Sequence, residues 1–326
     1  MKNKPFLLSP SYKNYLWGGR RLKDEYNKSY DTECIAESWE CSTHPEGESA
    51  VASGNFEGIS LSEVLKTHPE FMGSHPKTES ELPILVKLID ASKDLSVQVH
   101  PSDEYASANE DGQRGKTEMW YVLDAKEGAR LTYGFKEDID EATVRKAVED
   151  KNIVKYLRKI PVRKDDIFFV EAGTVHAIGE GILIAEVQEN SNLIYRIFDY
   201  DRTDSNGHKR ELHIDKAMAV ANLKAGQSPR QPMRVLHYKP GMASEVLCRC
   251  NYFEVNRLLI NTEETEGVSY ASDALSFRVL LCIDGEGRME FDNESLLCRK
   301  GDCVFVPADS TEIMLYGCAK FLDIRG

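Results

Sequence analysis

"RKDDIFFVEAGTVH" (163–176) and "RKGDCVFVPADSTE" (299–312) superpose without a gap, with Arg, Lys, Asp, Phe, Val and Ala coinciding in register. Each copy runs from a polar turn through β-branched and aromatic residues into a second turn, the pattern of a short strand between loops. A neighbouring pair extends the relation. "EMWYVLDAKEG" (118–128) lies on "FRVLLCIDGEG" (277–287), which sets Phe277 against Glu118. The chain therefore reads as one β domain written twice. Where the first copy has His176 the second has Glu312, so function is expected in the first.

Further strand-like runs, "LPILVKLID" (82–90) and "ILIAEVQ" (182–188), are short and bounded by Gly, Asp or Pro. They predict a mainly β protein of antiparallel sandwiches or barrels. "DEATVRKAVEDKNIVKYLRKI" (140–160) has apolar residues at Val144, Val148, Ile153, Leu157 and Ile160, a helical period that predicts an inserted helical pair at about 137–160. "HIDKAMAVANL" (213–223) predicts a connecting helix. The polar stretch "KAGQSPRQPM" (224–233) sets the domain boundary, giving units 1–230 and 231–326.

With 326 residues, 41% hydrophobic and 29% charged, the chain can bury a substantial core. A net charge of -13 and a pI near 5.2 argue against nucleic acid or an anionic membrane as partner, which would call for a basic face. An anionic ligand must then be held by a few local cations. No run approaches the roughly 18 apolar residues of a spanning helix, and "MKNKPFLLSPSYKNYLWGG" lacks a signal-peptide core, so the expected location is the cytoplasm. Eight cysteines include Cys248, Cys250, Cys282, Cys298, Cys303 and Cys318 late in the chain and form no CxxC pair; they read as free thiols.

In "LSVQVHPSDEYA" (95–106), Ser96, Gln98 and His100 share one face of an extended segment that Pro101 ends. Gln98 and His100 on one strand, Glu118 at the start of another and His176 after the turn "EAGTVH" could converge inside a barrel. Two imidazoles, a carboxylate and an amide oxygen suit Zn²⁺ with positions left open. A single histidine would more simply be a satisfied core group; the set, flanked by Gly173, Gly179 and Gly181 and missing from the second copy, points to a site.

"YLWGG" (15–19), "ESWECSTHPEGES" (37–49), "LPILVKLIDASKDLSVQVHPSDEYA" (82–106), "GKTEMWYVL" (115–123), "AGTVHAIGEGILIAEVQ" (172–188) and "NLIYRIFDYDR" (192–202) together resemble the type I phosphomannose isomerases of the cupin superfamily, in their short bacterial form. The resemblance spans almost the whole chain. It implies two cupin-like jelly-roll barrels, the second without metal, and one Zn²⁺ per chain on Gln98, His100, Glu118 and His176. It makes Arg196 the catalytic arginine, sets Lys87, Ser96 and Lys116 on the phosphate side, and adds Glu186 and Asn192 as further pocket residues, Asn192 standing where the family often has aspartate. The implied reaction interconverts mannose 6-phosphate and fructose 6-phosphate through an enediolate, in a monomer or homodimer. Glu186, a lysine of depressed pKa and metal-bound hydroxide remain alternatives for the base. Rival readings are another metal-dependent cupin enzyme, since two histidines and a carboxylate also suit Fe²⁺, or a non-catalytic sugar-phosphate-binding cupin.

"RKDD" departs from the family's Lys-Gly-Asp turn, so Asp165 is expected to take a conformation glycine adopts more cheaply, at a small loss of stability and no effect on chemistry. Trp17, Trp39 and Trp120 read as core or pocket-wall aromatics, His44 as a residue of the pocket mouth or a surface turn, and His68, His75, His208, His213 and His237 as structural.

Overall fold

The computed structural model describes residues 3–75, 81–203, 207–226, 229 and 234–326. The first copy folds as two facing antiparallel sheets. One carries, in order, Ile167–Val170, Glu118–Ala125, Ile182–Glu189, Ile84–Ala91, Glu37–Cys41 and Ser11–Lys13; the other carries Tyr195–Phe198, Val97–Val99, His176–Ala177, Arg130–Phe135 and Leu157–Pro161. Ile89, Trp120, Val122, Phe168 and Ile184 meet Leu131 and Ile178 between them. This is the mainly β fold of antiparallel sheets that the strand pattern predicts, in the cupin-like form that the family resemblance implies.

The six-stranded sheet is buried on both faces, which explains why its strands read as near-continuous apolar runs. Alternate residues, Val86, Leu88, Met119, Tyr121 and Val187, turn away from the first copy and pack on Val279, Leu281, Phe305, Leu322 and Ile324 of the second. That second copy is a ten-stranded sheet centred on Arg278–Phe291 and Ile313–Arg325, closed over Leu258, Leu280, Cys282, Phe291, Val304 and Phe321. It includes Phe6–Ser9 from the N-terminus, hydrogen-bonded to Cys303–Val306. The proposed boundary at 230–231 lies outside the described residues, but this strand shows that the two halves share a sheet.

The repeat appears in three dimensions with one correction. Ile167–Val170 and Cys303–Val306 occupy matching places, the first paired with Glu118–Ala125 and the second with Arg278–Phe291. Val170 faces Glu118, and Val306 faces Arg278. Arg278, not Phe277, is thus the counterpart of Glu118; a slip of one residue exchanges the faces of a strand, and Phe277 packs in the core between the copies. Arg278 pairs with Asp323 at 3.3 Å, which also accepts from the Tyr270 hydroxyl at 3.0 Å. The second copy holds an internal ion pair where the first holds Glu118. Glu312, its counterpart of His176, is exposed and accepts from Ser269.

The expected helical pair is only partly helical. Glu141–Glu149 forms a helix whose Asp140 cap accepts from the Thr143 N–H at 2.7 Å, and one 3₁₀ turn follows at Ile153–Lys155. Leu157–Pro161 is instead an edge strand on Arg130–Phe135. Leu157 and Ile160 continue the helical spacing, but pairing at an open sheet edge overrides so weak a periodic signal. The connecting helix forms at Ile214–Val220. All eight cysteines are free. Among the described residues no helix is long and apolar enough to cross a membrane.

Candidate active site

A cavity of about 340 Å³ opens between the two sheets of the first copy. The topology places its chemistry on adjacent strands: His176 lies opposite Gln98, Gln98 opposite Arg196, Trp120 opposite Glu186, Glu186 opposite Lys87, and Lys87 opposite Trp39.

His100, Glu118 and His176 converge in full burial, their potential ligand atoms all within 4.8 Å of one another. Glu118 Oε2 lies 3.4 Å from His100 Nε2, and Oε1 lies 3.3 Å from His176 Nε2. The outer nitrogens of both rings are committed, His100 Nδ1 to the Leu193 carbonyl at 3.0 Å and His176 Nδ1 to the Thr174 carbonyl at 2.8 Å. This fixes ring orientation and turns both Nε2 atoms inward, the arrangement that orients imidazole ligands. His100 Nε2 and both Glu118 oxygens are buried without a hydrogen-bond partner, an expense that a cation would relieve. Burial, with Lys116 nearby, pushes His100 down to about 3, and burial lowers His176. Burial alone would raise Glu118, but attraction from the Lys116 ammonium outweighs it and holds Glu118 well below the usual carboxylate range. Two neutral imidazoles and an ionised carboxylate are the protonation states a divalent metal requires. The residues fit such an ion. Gln98 borders the trio, its amide nitrogen 3.4 Å from His176 Nε2.

Gln98 and Lys116 link this trio to the cavity, Lys116 Nζ lying 3.0 Å from Glu118 Oε2. Lys87, Ser96, Glu186, Asn192 and Arg196 also line the cavity. Glu186 accepts from the Trp120 indole at 3.0 Å and lies 3.5 Å from Lys87 Nζ. Its burial outweighs the attraction of Lys116 and Lys87 and raises it to about 7. The Arg196 backbone N–H donates to His213 Nδ1 at 3.1 Å and its Nη1 to the Glu211 carbonyl at 2.8 Å, while its Nε is buried without a partner. Asn192 is half-buried and donates to Glu46 at 2.8 Å.

Trp17 and Trp120 line the cavity as pocket-wall aromatics, as expected; Tyr15, Glu37 and Arg210 line it as well, and sequence reasoning assigned no role to them. For Glu37 a signal existed: an acid inside "ESWEC", a strand every residue of which is buried. Arg210 lies in a segment without pattern, held by Asp199 at 2.5 and 2.8 Å. Trp39 is core, and His44 packs edge-on against it at 5.7 Å.

Residues 6–129 match the model of the phosphomannose isomerase type I catalytic domain, and residues 244–324 that of the mannose-6-phosphate isomerase cupin domain. The chain is 35% identical over 323 residues to mannose-6-phosphate isomerase ManA of Bacillus subtilis, covering 98% of each. It is 36% identical over 304 residues to the mannose-6-phosphate isomerase of Streptococcus mutans, covering 93% of this chain and 92% of that one. Among solved structures, the mannose 6-phosphate isomerase from Bacillus subtilis superposes with a TM-score of 0.90 at 33% identity, covering 98% of this chain and 99% of that chain.

Proposed function

The chain belongs to the type I phosphomannose isomerase family, and from that premise we propose that it interconverts mannose 6-phosphate and fructose 6-phosphate in the cytoplasm, as a monomer or homodimer. In this reading Gln98, His100, Glu118 and His176 hold one Zn²⁺ per chain. Bound there, zinc supplies Lewis-acid polarisation of the sugar oxygen beside the carbon that loses its proton.

The remaining work falls to the chain's own residues. Glu186 carries the proton between C2 and C1, and a carboxyl near 7 is matched to that task because it gives up and regains a proton at working pH. Arg196 supplies a fixed positive charge where the enediolate develops, and charge placed in advance costs no reorganisation during reaction. Lys116 holds Glu118 ionised. Lys87, Ser96 and Asn192 contact the phosphosugar, and the apolar wall of Trp17, Ile89, Leu95 and Ile178 limits water around the reacting carbons.

The observation that carries this reading is the buried His100, Glu118, His176 trio with orphaned atoms, beside a cavity holding both Glu186 and Arg196. The test is a coupled assay of mannose 6-phosphate turnover on protein as purified, after chelation and after Zn²⁺ is restored. Activity lost with chelator and regained with zinc is the expected result; no turnover with zinc stoichiometrically bound would overturn the proposal.

A further inference from the structure

Lys87 sits in the cavity wall between two carboxylates. Its Nζ lies 3.6 Å from Glu37 Oε2 and 3.5 Å from Glu186 Oε2, ion-pair distances rather than the 2.7–3.2 Å or so of a full hydrogen bond. Each carboxylate is pinned by a different indole: Trp39 Nε1 donates to Glu37 Oε2 at 2.7 Å, and Trp120 Nε1 donates to Glu186 Oε1 at 3.0 Å. Lys87 also stands 4.7 Å from the centre of the Trp39 ring, and only 2% of its surface is exposed. A buried ammonium with a single carboxylate neighbour would close into a tight pair. Here two anchored acids pull it from two directions, and neither captures it.

We infer that Glu37 is a positioning residue: by opposing Glu186 across Lys87 it keeps the ammonium suspended in the cavity wall, with N–H donors free for the sugar and with Glu186 only half neutralised. The inference rests on the isomerase reading above and adds to it a role for the "ESWEC" strand. The charged groups acting on Glu186 are Lys116, Glu118, Lys87 and Glu37. Of these Glu37 alone competes with it for Lys87. Remove the Glu37 charge, and Lys87 belongs wholly to Glu186: the ammonium withdraws from the substrate, and Glu186 holds its proton less tightly.

The experiment is Glu37→Gln, which keeps an acceptor for the Trp39 indole and removes the charge. Expected are a fall in kcat of about a hundredfold, the scale of a misplaced catalytic group, and a shift of the acid limb of the pH profile downward by about one unit, since a like charge has gone. Metal content and Tm should stay at wild-type values. Glu37→Asp keeps the charge and should leave the limb in place. An unmoved limb in Glu37→Gln, or an equal shift in Glu37→Asp, would overturn the inference. Should Glu37→Gln fail to fold, Trp39→Phe unpins Glu37 without discharging it, so a lowered kcat with an unmoved limb is expected and unchanged kcat overturns the idea. Wild-type protein in the same assay separates the two levels, because absence of wild-type turnover sinks the isomerase reading itself.

Discussion

Glu186 holds its proton to about 7 because it is buried, and this sets opposite demands on activity and stability. In the proposed role of base it works only when ionised, so kcat/KM should fall about tenfold per pH unit below about 7 and level off above it. Glu186→Gln should remove that limb and cut kcat by about 10²–10⁴ while leaving bound metal unchanged. Stability runs the other way. The folded carboxyl binds its proton more tightly than the unfolded one, so its ionisation costs folding free energy as pH rises from the ordinary carboxylate value through about 7. Glu186→Gln should therefore raise the urea midpoint at pH 8 and do little at pH 4. An equal effect at both pH values would mean that the ionised carboxylate is not destabilising where it sits.

At the scale of elements, the turn before Ile167–Val170 shows how a residue that looks like a fault in the sequence is used. Asp165 has φ 70°, a left-handed conformation that costs a side-chain-bearing residue about 1 kcal/mol. Its carboxylate, however, accepts from the Tyr121 hydroxyl and pairs with Arg257 at 3.3 Å, so it ties the first copy to the second. Glycine would relieve the backbone and lose these bonds. Alanine would lose the bonds and keep the strain. Hydrogen bonds to charged groups contribute about 1.5–3 kcal/mol, less here because the Asp165 side chain is 41% exposed. Asp165→Ala should cost about 2 kcal/mol and Asp165→Gly no more than about 1, both read from urea midpoints; a gain in stability for Asp165→Gly would show that the turn is simply strained. The sequence registered the missing glycine but not the partner, because Arg257 lies 92 residues away on a strand with no matching motif. The same limit explains other gaps. Strand repeats and turn residues are local, so the two copies and the conjunction of His100, Glu118 and His176 were legible, whereas Lys87, Lys116, Glu186, Asn192 and Arg196 entered only through the family resemblance. Pairing register is not local, so Phe277 was placed where Arg278 belongs, and the edge strand Leu157–Pro161 was given a helix's period. Glu37 escaped notice because its significance lies in Lys87 and Glu186, which only cross-strand pairing brings beside it.

On the scale of the whole molecule, the second copy holds an Arg278–Asp323 pair where the first holds Glu118, yet the first copy depends on it. The six-stranded sheet that carries Glu118, Glu186 and Lys87 has its outer face covered by the second copy. Phe6 of the N-terminal strand stacks on Phe305 at 5.3 Å. Lys28 crosses the same seam, donating to Glu40 at 2.7 Å and to the Gly301 carbonyl at 2.5 Å. Both members of that ion pair are buried. Lys28→Met would leave Glu40 without its counter-charge, and breaking a buried pair in this way costs about 3–5 kcal/mol. Because Lys28 also holds the Gly301 carbonyl of the second copy, the loss should appear as one cooperative transition displaced as a whole, with metal release, tryptophan fluorescence and far-UV circular dichroism moving together. Glu40 can take up a proton to escape its isolation, so the deficit should shrink as pH falls. If Lys28→Met instead splits the transition, so that the second copy melts early while metal stays bound, the copies are separate folding units and the active-site sheet stands without its cover.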